Sequence, residues 1–384
     1  MKILGIETSC DDTCASVIEL KDEKDIEFLI LSDIISSQIE VHKEWGGVYP
    51  SLARREHQKN LTSVLKESLG KSKLLKKKKS KEVIDRKPLE EILQREESLT
   101  NELIEFLSEY EKPDLNLIAV TSGPGLEPSL WTGINFTKAL SSYWEIPIIP
   151  INHIEAHLTI SFFSLDNNVL KINSDKDIFP GIGLIVSGGH TQLVLIKGIG
   201  DYKIIGETRD DAAGECFDKT ARILGMEYPG GPEIAQKAAE HRGGIEISLP
   251  RPMTKTKNYD FSFSGLKTAV LYHHRSVFDP SEEYIRAMSY EIQQAIIDIL
   301  IEKTLRAVNN FKAKSIILGG GVTSNKELQK QFIEKKDPKT KIFFPPAGSQ
   351  MDNALMVAVV GYLKKKNSKK YKLKEIKANS NLKI

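Results

Sequence analysis

The chain has 384 residues, of which 40% are hydrophobic and 28% are charged, and its formal net charge is +2. This composition is typical of a soluble globular protein, and the length suits two domains better than one core. No apolar run approaches the roughly 18–20 residues that a membrane-spanning helix needs, and three cysteines are too few for a disulfide framework. Since the first residues resemble neither a signal nor a transit peptide, we expect a cytoplasmic protein.

The first part of the chain predicts an α/β domain. Residues 2–7 and 14–20 are β-rich runs on either side of the polar turn TSCDDT, and residues 28–37 predict a third strand. Helical spacing of apolar residues predicts a helix over 49–69. The stretch 115–157 then reads as strand, glycine-proline loop, helix, strand and helix. This alternation favours a parallel or mixed sheet, and we place the first domain over 1–150.

Two charge runs stand apart from this pattern. Residues 71–81 contain seven lysines, and residues 90–111 contain eight glutamates with apolar positions at helical spacing. We predict that the charged block 71–113 is a helical hairpin inserted on the surface of the first domain. The tail 364–384 carries nine lysines and one acidic residue, and we expect it to be disordered. Such runs are usually solvated, but a tail that binds a polyanion remains an alternative.

The second half repeats the pattern of the first. Residues 181–208 predict a run of strands around a tight Gly-Gly turn, and residues 313–332 predict strand, glycine-rich loop and helix. Residues 341–363 repeat the last shape. We therefore predict an internally duplicated α/β fold with a second domain over 151–363 and a cleft between the halves. The last helix is also compatible with packing against the first domain.

Two histidines four residues apart, His153 and His157, share one face of a predicted helix. They are candidates for a metal site, although two helical histidines without a function are an alternative. In the zincin pattern H-E-x-x-H the glutamate lies next to the first histidine, whereas Glu155 points about 200° away from His153. Asp352 is a candidate third ligand, or only the N-cap of the helix that follows it. A His-His-Asp set leaves coordination positions open, which is typical of a catalytic site.

Glycine loops and an acidic stretch are candidates for nucleotide binding. Residues 186–192 contain glycines that allow backbone N–H groups to approach phosphate, or they form an ordinary hairpin turn. Residues 318–325 lie between a strand and a helix N-terminus, where their polar side chains alternatively act as caps. The carboxylates in residues 210–218 suit ribose hydroxyls or a magnesium ion, and helix capping is the alternative.

The motifs taken together resemble one family, the tRNA N6-adenosine threonylcarbamoyltransferases, in its bacterial or organellar branch. Nine of them occur in family order: GIETSCDDT, NHIEAH, VSGGHTQL, DDAAGECFDKTARILG, YPGGP, RPM, DFSFSGLKT, GGGVTSN and MDNALM. The resemblance runs from residue 1 to about 363, without the block 71–113. The family was once described as an O-sialoglycoprotein endopeptidase, and the direction of Glu155 argues against that activity.

The resemblance implies an actin/Hsp70/sugar-kinase-like (ASKHA) fold with an interdomain cleft. It implies transfer of a threonylcarbamoyl group from threonylcarbamoyl-AMP to N6 of the adenosine 3′ of the anticodon. The tRNAs are those that read codons beginning with A, and the products are t6A and AMP. The implied partners are tRNA, a paralogue that lacks the metal site and a small P-loop ATPase, with no membrane.

The resemblance also implies site residues. The family's metal ligands fall on His153, His157 and Asp352, which would hold one divalent metal per subunit, with Fe2+ favoured and Zn2+ possible. The substrate-binding positions fall on Ile185, Val186, Ser187, Gly188, Gly189, Asp218, Gly231 and Asn325.

The transfer reaction also needs a general base to accept the N6 proton. Asp11 and Asp12, on the first hairpin turn, are our candidates for accepting the N6 proton, and ordinary turn residues are the alternative. Two other functions remain open: an ATPase or small-molecule kinase of the same fold, and a non-enzymatic scaffold in an RNA-modifying complex.

Overall fold

The computed structural model describes residues 1–173, 175–365 and 371–384, and within them the chain forms two compact units. Unit 1 consists of three segments of the chain: Met1–Glu40, Val48–Ser174 and Pro346–Ile384. Unit 2 consists of the other two: Val41–Gly47 and Asp175–Pro345. Each unit is built around one β-sheet.

The described residues form twelve strands, twelve α-helices and three short 3-10 helices. The strands are β1 (Lys2–Glu7), β2 (Asp12–Asp22), β3 (Glu27–Ser37), β4 (Leu117–Gly123), β5 (Ile148–Asn152), β6 (Phe163–Asp166), β7 (Val169–Ile172), β8 (Gly181–Val186), β9 (Thr191–Gly198), β10 (Asp201–Glu207), β11 (Ser315–Gly319) and β12 (Lys341–Phe343). The α-helices are α1 (Ile39–Lys43), α2 (Pro50–Lys71), α3 (Lys87–Ile92), α4 (Glu97–Glu109), α5 (Glu127–Trp144), α6 (His153–Ile160), α7 (Ala213–Ile223), α8 (Gly230–Ala239), α9 (Ser264–Ser276), α10 (Glu282–Phe311), α11 (Lys326–Lys335) and α12 (Ala354–Lys365). The 3-10 helices are Lys176–Ile178, Gly321–Ser324 and Leu373–Glu375. Of the helices described, none has both the length and the apolar character needed to span a membrane.

The two sheets have the same core topology. In unit 1 the strand order is β5-β4-β1-β2-β3-β7-β6, and in unit 2 it is β10-β9-β8-β11-β12. In both, three consecutive strands form an antiparallel meander, a fourth strand pairs parallel to the first strand of the meander, and a fifth pairs parallel to the fourth. The predicted internal duplication is therefore confirmed, and its order is that expected of an ASKHA fold.

Both faces of the unit 1 sheet are covered. Leu4 and Ile6 of β1 point into a core shared with α2 and α5, while Gly5 points to the opposite face and contacts α12. A Cβ added to Gly5 would lie 2.1 Å from the carbonyl oxygen of Ala354, so only glycine allows this approach. The contact brings the N-terminus of α12 directly onto β1, and with it the preceding residue Asp352.

The observed units differ from the predicted domains, 1–150 and 151–363. The strand β5 pairs with β4 and continues into α6, so residues 151–173 stay with unit 1. The segment 346–384 also returns to unit 1, because α12 packs against β1, β2 and β4. The alternative that the last helix packs on the first domain is the one that the structure shows.

The charged block 71–113 is not confined to the surface of unit 1. Its acidic part forms α3 and α4, as two helices were predicted, but Leu99, Leu103 and Phe106 of α4 are buried in the unit 1 core. The apolar stripe at helical spacing explains this, since such a stripe is stable only when it is covered. The lysine-rich part remains at the surface, where Lys81 pairs with Glu109 at 2.7 Å.

The C-terminal residues 371–384 lie against unit 1, contrary to the expectation of disorder. Ile376 is 1% exposed and packs into the unit 1 core with Leu373 and Ala378. The amide of Asn379 donates to the carbonyl of Ser122 at 2.9 Å. The high lysine content led us to expect disorder, but these apolar side chains hold the segment against unit 1. Residues 366–370 of the predicted tail lie outside the described residues.

Candidate metal centre

The turn between β1 and β2 carries the first part of the site. The run of apolar residues in β1 ends at Glu7, whose side chain is fully buried. Its Oε1 accepts a hydrogen bond from the Ser9 amide at 2.5 Å, and its Oε2 accepts one from the Thr121 hydroxyl at 2.6 Å. A carboxylate held by two donors in this way has a fixed orientation at the end of the strand.

The helix α6 supplies two imidazoles. It begins directly after β5, and the Asn152 side chain caps it by accepting from the amides of Ile154 and Glu155 at 2.9 and 3.1 Å. The cap places His153 in the first turn and His157 one turn later. Both are buried, and their ring centroids are 4.6 Å apart. The shared helix face predicted from their spacing is therefore present.

Asp352 completes the cluster. The amide of Met356 donates to Asn353 Oδ1 at 2.9 Å, so Asn353 caps α12, and the alternative that Asp352 is only an N-cap is wrong. Asp352 Oδ1 lies 3.0 Å from His157 Nε2 and 3.4 Å from His153 Nε2. One ligand atom from each of the three residues lies within 4.8 Å of the others. Residues 195 positions apart thus converge as predicted.

Glu155 points away from this cluster. Its Oε2 forms an ion pair with Lys364 Nζ at 2.5 Å, and it contributes no atom to the group of possible ligands. The helix geometry that separated Glu155 from the two histidines is thus observed. A glutamate in this direction cannot act on a water bound between His153 and His157.

The donor set fits a divalent cation. Burial alone would lower the pKa of His153, but the charges of Asp352 and Glu7 raise it to about 10. Burial alone would raise the pKa of Asp352, and the two histidines hold it well below its usual value. The cluster thus already stabilises positive charge between two imidazoles and a carboxylate. Two neutral nitrogens with one carboxylate oxygen are ligands that both zinc and iron accept.

The two candidate bases differ in their surroundings. Asp12 is buried, and among the described residues its Oδ1 has no hydrogen-bond partner. Burial, followed by the charges of Asp352 and Asp11, raises the pKa of Asp12 to about 7. Asp11 is half-buried, and its backbone carbonyl accepts from the amide of Gln38 at 3.0 Å. Of the two, Asp12 has the environment of a proton acceptor near neutral pH.

The predicted glycine loops are neighbours within unit 2. The turn after Ile185 and Val186 is closed by the amide of Ser187, which donates to the His190 carbonyl at 2.8 Å. Gly188 and Gly189 between them have open space on the side where a Cβ would stand. In the other loop Gly320 has a φ of +90°, and an added Cβ would lie 2.5 Å from the Val186 carbonyl oxygen. Only glycine fits this contact.

The remaining predicted substrate residues also lie in unit 2. Asp218 Oδ1 accepts from the amide of Gly230 at 2.8 Å, next to Gly231 at the start of α8. Asn325 Oδ1 accepts from the Leu328 amide at 3.0 Å, and its Nδ2 donates to Gln293 at 2.8 Å. The capping alternative therefore holds for Asn325. Its predicted contact with substrate remains a prediction.

Three residues around the candidate metal ligands were missed by the sequence analysis. Glu7, Ser9 and Thr121 surround the Nδ1 edge of His153, directly or through one another. A signal was present, since Glu7 is an acidic residue at the end of a strand that is otherwise apolar. Its partner could not be named, because the contact joins residues 146 positions apart.

Comparison with known proteins agrees with the motifs. The family model for tRNA N6-adenosine threonylcarbamoyltransferase (TsaD) matches residues 29–83 and 94–359, so that only 84–93 is unmatched within the charged block. The enzyme of that name from Persephonella marina is 41% identical over 372 residues, which are 96% of this chain and 91% of the relative. The one from Thermosipho melanesiensis is 40% identical over 363 residues, 94% of each chain.

The chain also resembles solved structures at low sequence identity. Component A of the (R)-2-hydroxyglutaryl-CoA dehydratase of Acidaminococcus fermentans covers 95% of this chain and 98% of its own, with 12% identity and a TM-score of 0.48. The sequence relatives cover a similar share of the chain at about 40% identity. The chain therefore belongs to the tRNA N6-adenosine threonylcarbamoyltransferase family.

Proposed function

We propose that the chain transfers the threonylcarbamoyl group of threonylcarbamoyl-AMP to N6 of the adenosine 3′ of the anticodon. The tRNAs are those that read codons beginning with A, and the products are t6A and AMP. The observation that supports this most is the buried cluster of His153, His157 and Asp352 in a chain whose relatives carry this name. The resemblance implies metal ligands at these three positions.

The metal centre belongs to unit 1. His153, His157 and Asp352 would hold one divalent ion, and we propose Fe2+, with Zn2+ as the alternative. When bound, the ion supplies a Lewis acid for the oxygens of the reacting carbamoyl and phosphate groups. The chain contributes the fixed directions of the three ligands, through the cap on α6 and the contact of α12 with Gly5.

The adenylate-binding groups belong to unit 2. The amide of Ser187 is already bonded to His190, so we assign phosphate binding chiefly to the backbone of Gly188 and Gly189, where space is open. The adenine would lie along the loop 319–325. Asp218 and Gly231 would contact other parts of the substrate, as the resemblance implies.

The residues of the first hairpin of unit 1 are our candidates for proton transfer. The N6 amine is a weak nucleophile, so it must lose a proton as its nitrogen bonds to the carbamoyl carbon and the phosphate oxygen of AMP leaves. Asp12 would accept this proton, since a carboxylate with a pKa of about 7 is an effective base near neutral pH. Asp11 is the second candidate.

Partners and compartment follow from the family. We propose that the chain works with tRNA, with a paralogue that lacks the metal site and with a small P-loop ATPase. The three cysteines, Cys10, Cys14 and Cys216, are all free, which is usual in a reducing compartment, and we propose the cytoplasm.

The test is a reconstituted reaction. Purified chain is incubated with unmodified tRNA, threonine, bicarbonate, ATP, the enzyme that forms the adenylate and the accessory subunits, and the tRNA nucleosides are analysed by mass spectrometry. We expect t6A to appear only when the chain is present. Steady ATP hydrolysis by the chain alone, without t6A, would instead favour an ATPase or small-molecule kinase. If t6A accumulated without the chain, the chain would not be the transferase, and a role as a scaffold would be favoured instead.

A further inference from the structure

A buried carboxylate stands behind one of the two histidines. Glu7 Oε2 lies 3.0 Å from His153 Nδ1, and the side chain of Glu7 is 0% exposed. Removing a carboxylate from water is costly unless a positive or polar partner compensates for it. The Ser9 amide, the Thr121 hydroxyl and His153 are the compensating partners. Glu7 is therefore held in place by two donors and directed at the Nδ1 edge of the His153 ring.

This contact fixes the chemistry of the opposite edge of the ring. Because Glu7 accepts at Nδ1, the proton of the neutral imidazole resides on Nδ1 and the lone pair on Nε2. Nε2 is the atom that faces Asp352, at 3.4 Å. His157 differs, since in the described part of the chain its Nδ1 has no hydrogen-bond partner. The two imidazoles are thus held by different means.

We propose that Glu7 is a positioning residue for metal binding: it fixes the orientation and tautomer of His153 so that Nε2 is the ligand atom. Carboxylates behind metal-bound histidines act in this way, and their loss weakens metal binding by about 10- to 100-fold. Glu7 lies at the Nδ1 edge and is not among the possible ligands, so it acts through His153. The inference rests on the metal site proposed above.

The test compares two buried carboxylates in the full-length chain. Glu7→Gln keeps the size of the side chain and removes its charge. Glu155→Gln is the matched control, because Glu155 is also buried, lies between the two histidines on α6 and is bonded to Lys364 instead. Zn2+ is titrated into metal-free protein against a competing chelator. We expect a Zn2+ affinity about 10- to 100-fold lower for Glu7→Gln and a change of less than about twofold for Glu155→Gln.

Two more variants separate the possible outcomes. Thr121→Val removes one donor to Glu7 and should lower the Zn2+ affinity about two- to tenfold, which keeps the proposal testable if Glu7→Gln does not fold. His157→Ala removes a ligand, and unchanged Zn2+ affinity in this variant would refute the metal site itself. A loss in His157→Ala, with wild-type Zn2+ affinity in folded Glu7→Gln or Thr121→Val, would refute only the positioning by Glu7. Urea unfolding of each metal-free variant distinguishes weaker binding from a weaker fold.

Discussion

At the scale of single residues, the centre combines groups that depend on each other for charge balance. His153 lies between the carboxylates of Glu7 and Asp352, whereas His157 contacts only Asp352 among these charges. Removing His153 therefore takes away a ligand and also leaves Glu7 buried without its main partner. Removing His157 takes away a candidate ligand and one contact of Asp352, but it leaves Glu7 and Asp352 each paired with His153. The two substitutions should have the same effect on chemistry and different effects on stability.

We expect both His153→Ala and His157→Ala to lose bound metal and threonylcarbamoyl transfer. His153→Ala should also lower the free energy of unfolding by about 3 kcal/mol more than His157→Ala, because an unpaired buried carboxylate is costly. Metal analysis and urea unfolding of the metal-free proteins measure the two effects. Full metal occupancy in folded His153→Ala would contradict the ligand assignment.

The pKa of Asp12 predicts how the rate depends on pH. If Asp12 accepts the N6 proton, transfer should slow below pH about 7, since the carboxyl is then protonated and cannot act as a base. Asp12→Asn should transfer at least about 100-fold more slowly and should lack this acid limb. Single-turnover rates between pH 5.5 and 8.5 on a pre-formed complex provide the measurement. If Asp12→Asn reacted at the wild-type rate, Asp12 would not be the general base, and Asp11 would be the remaining candidate.

A lysine in unit 2 predicts a pH dependence of stability. The side chain of Lys303 is fully buried, and its Nζ donates to Thr256 Oγ1 at 3.1 Å and to the Asn258 carbonyl at 3.3 Å. Burial, followed by the charge of Arg306, lowers the pKa of Lys303 to about 8. Between pH 8 and 10.5 the unfolded chain thus binds more protons at this residue than the folded chain does, so its contribution to stability rises with pH.

Lys303→Met should abolish this contribution. Urea midpoints measured at pH 7.5 and pH 10 for both proteins give the comparison, in which the titration of other groups cancels. We expect wild type to gain stability relative to Lys303→Met on going to pH 10. The same difference between the two proteins at both values would show that Lys303 is not perturbed.

At the scale of elements, the local periodicity of apolar residues predicted which helices and strands form. Contacts between residues distant in sequence decided where each element packs. The strands β1 to β3 and the helices α2 and α5 follow their apolar patterns closely. For α4 the pattern correctly predicted a helix, but its glutamates suggested the surface, while Leu99 and Leu103 take it into the core. For Asp352 the sequence left cap and ligand open, because the competing cap, Asn353, is recognised only from its bond to Met356.

The C-terminal segment carries both packing and charge. The lysines among residues 371–384 are exposed while Ile376 is buried, so truncation after Leu363 would weaken unit 1 as well as remove charge. We still expect truncation to weaken tRNA binding more than catalysis at saturating tRNA. A sharper variant replaces Lys372, Lys374 and Lys377 with glutamine, which keeps Ile376 in place.

We expect the triple variant to bind tRNA more weakly, with a smaller dependence on salt, because each lost phosphate contact removes about 0.7–0.9 from the salt slope. Titration of tRNA at several salt concentrations, with urea unfolding as the control for packing, measures this. Equal affinity and equal slope for the variant and the wild type would show that the segment only packs on unit 1.

At the scale of the whole molecule, the two copies of the duplicated fold differ in what their first hairpin turns carry. The first hairpin of unit 1 carries Ser9 and Asp11 in its turn and Asp12 at the start of β2, and the corresponding turn of unit 2 carries Ser187, Gly188 and Gly189. One copy therefore offers carboxylates, and the other offers open backbone. The sequence singled out both turns as candidates for function, and the roles of their residues remain predictions. The sequence left open whether the last helix packs on the first domain, since that depends on the contact of α12 with Gly5.

The central claim is that His153, His157 and Asp352 form the metal centre of threonylcarbamoyl transfer to tRNA. Its most direct test is mass spectrometry of t6A after unmodified tRNA has been incubated with threonylcarbamoyl-AMP, the accessory subunits and either wild-type chain or Asp352→Asn. Wild type should form t6A, and Asp352→Asn, which keeps the volume of the side chain, should form at least about 100-fold less and retain little metal. Equal t6A from folded Asp352→Asn, or no t6A from metal-loaded wild type, would contradict it.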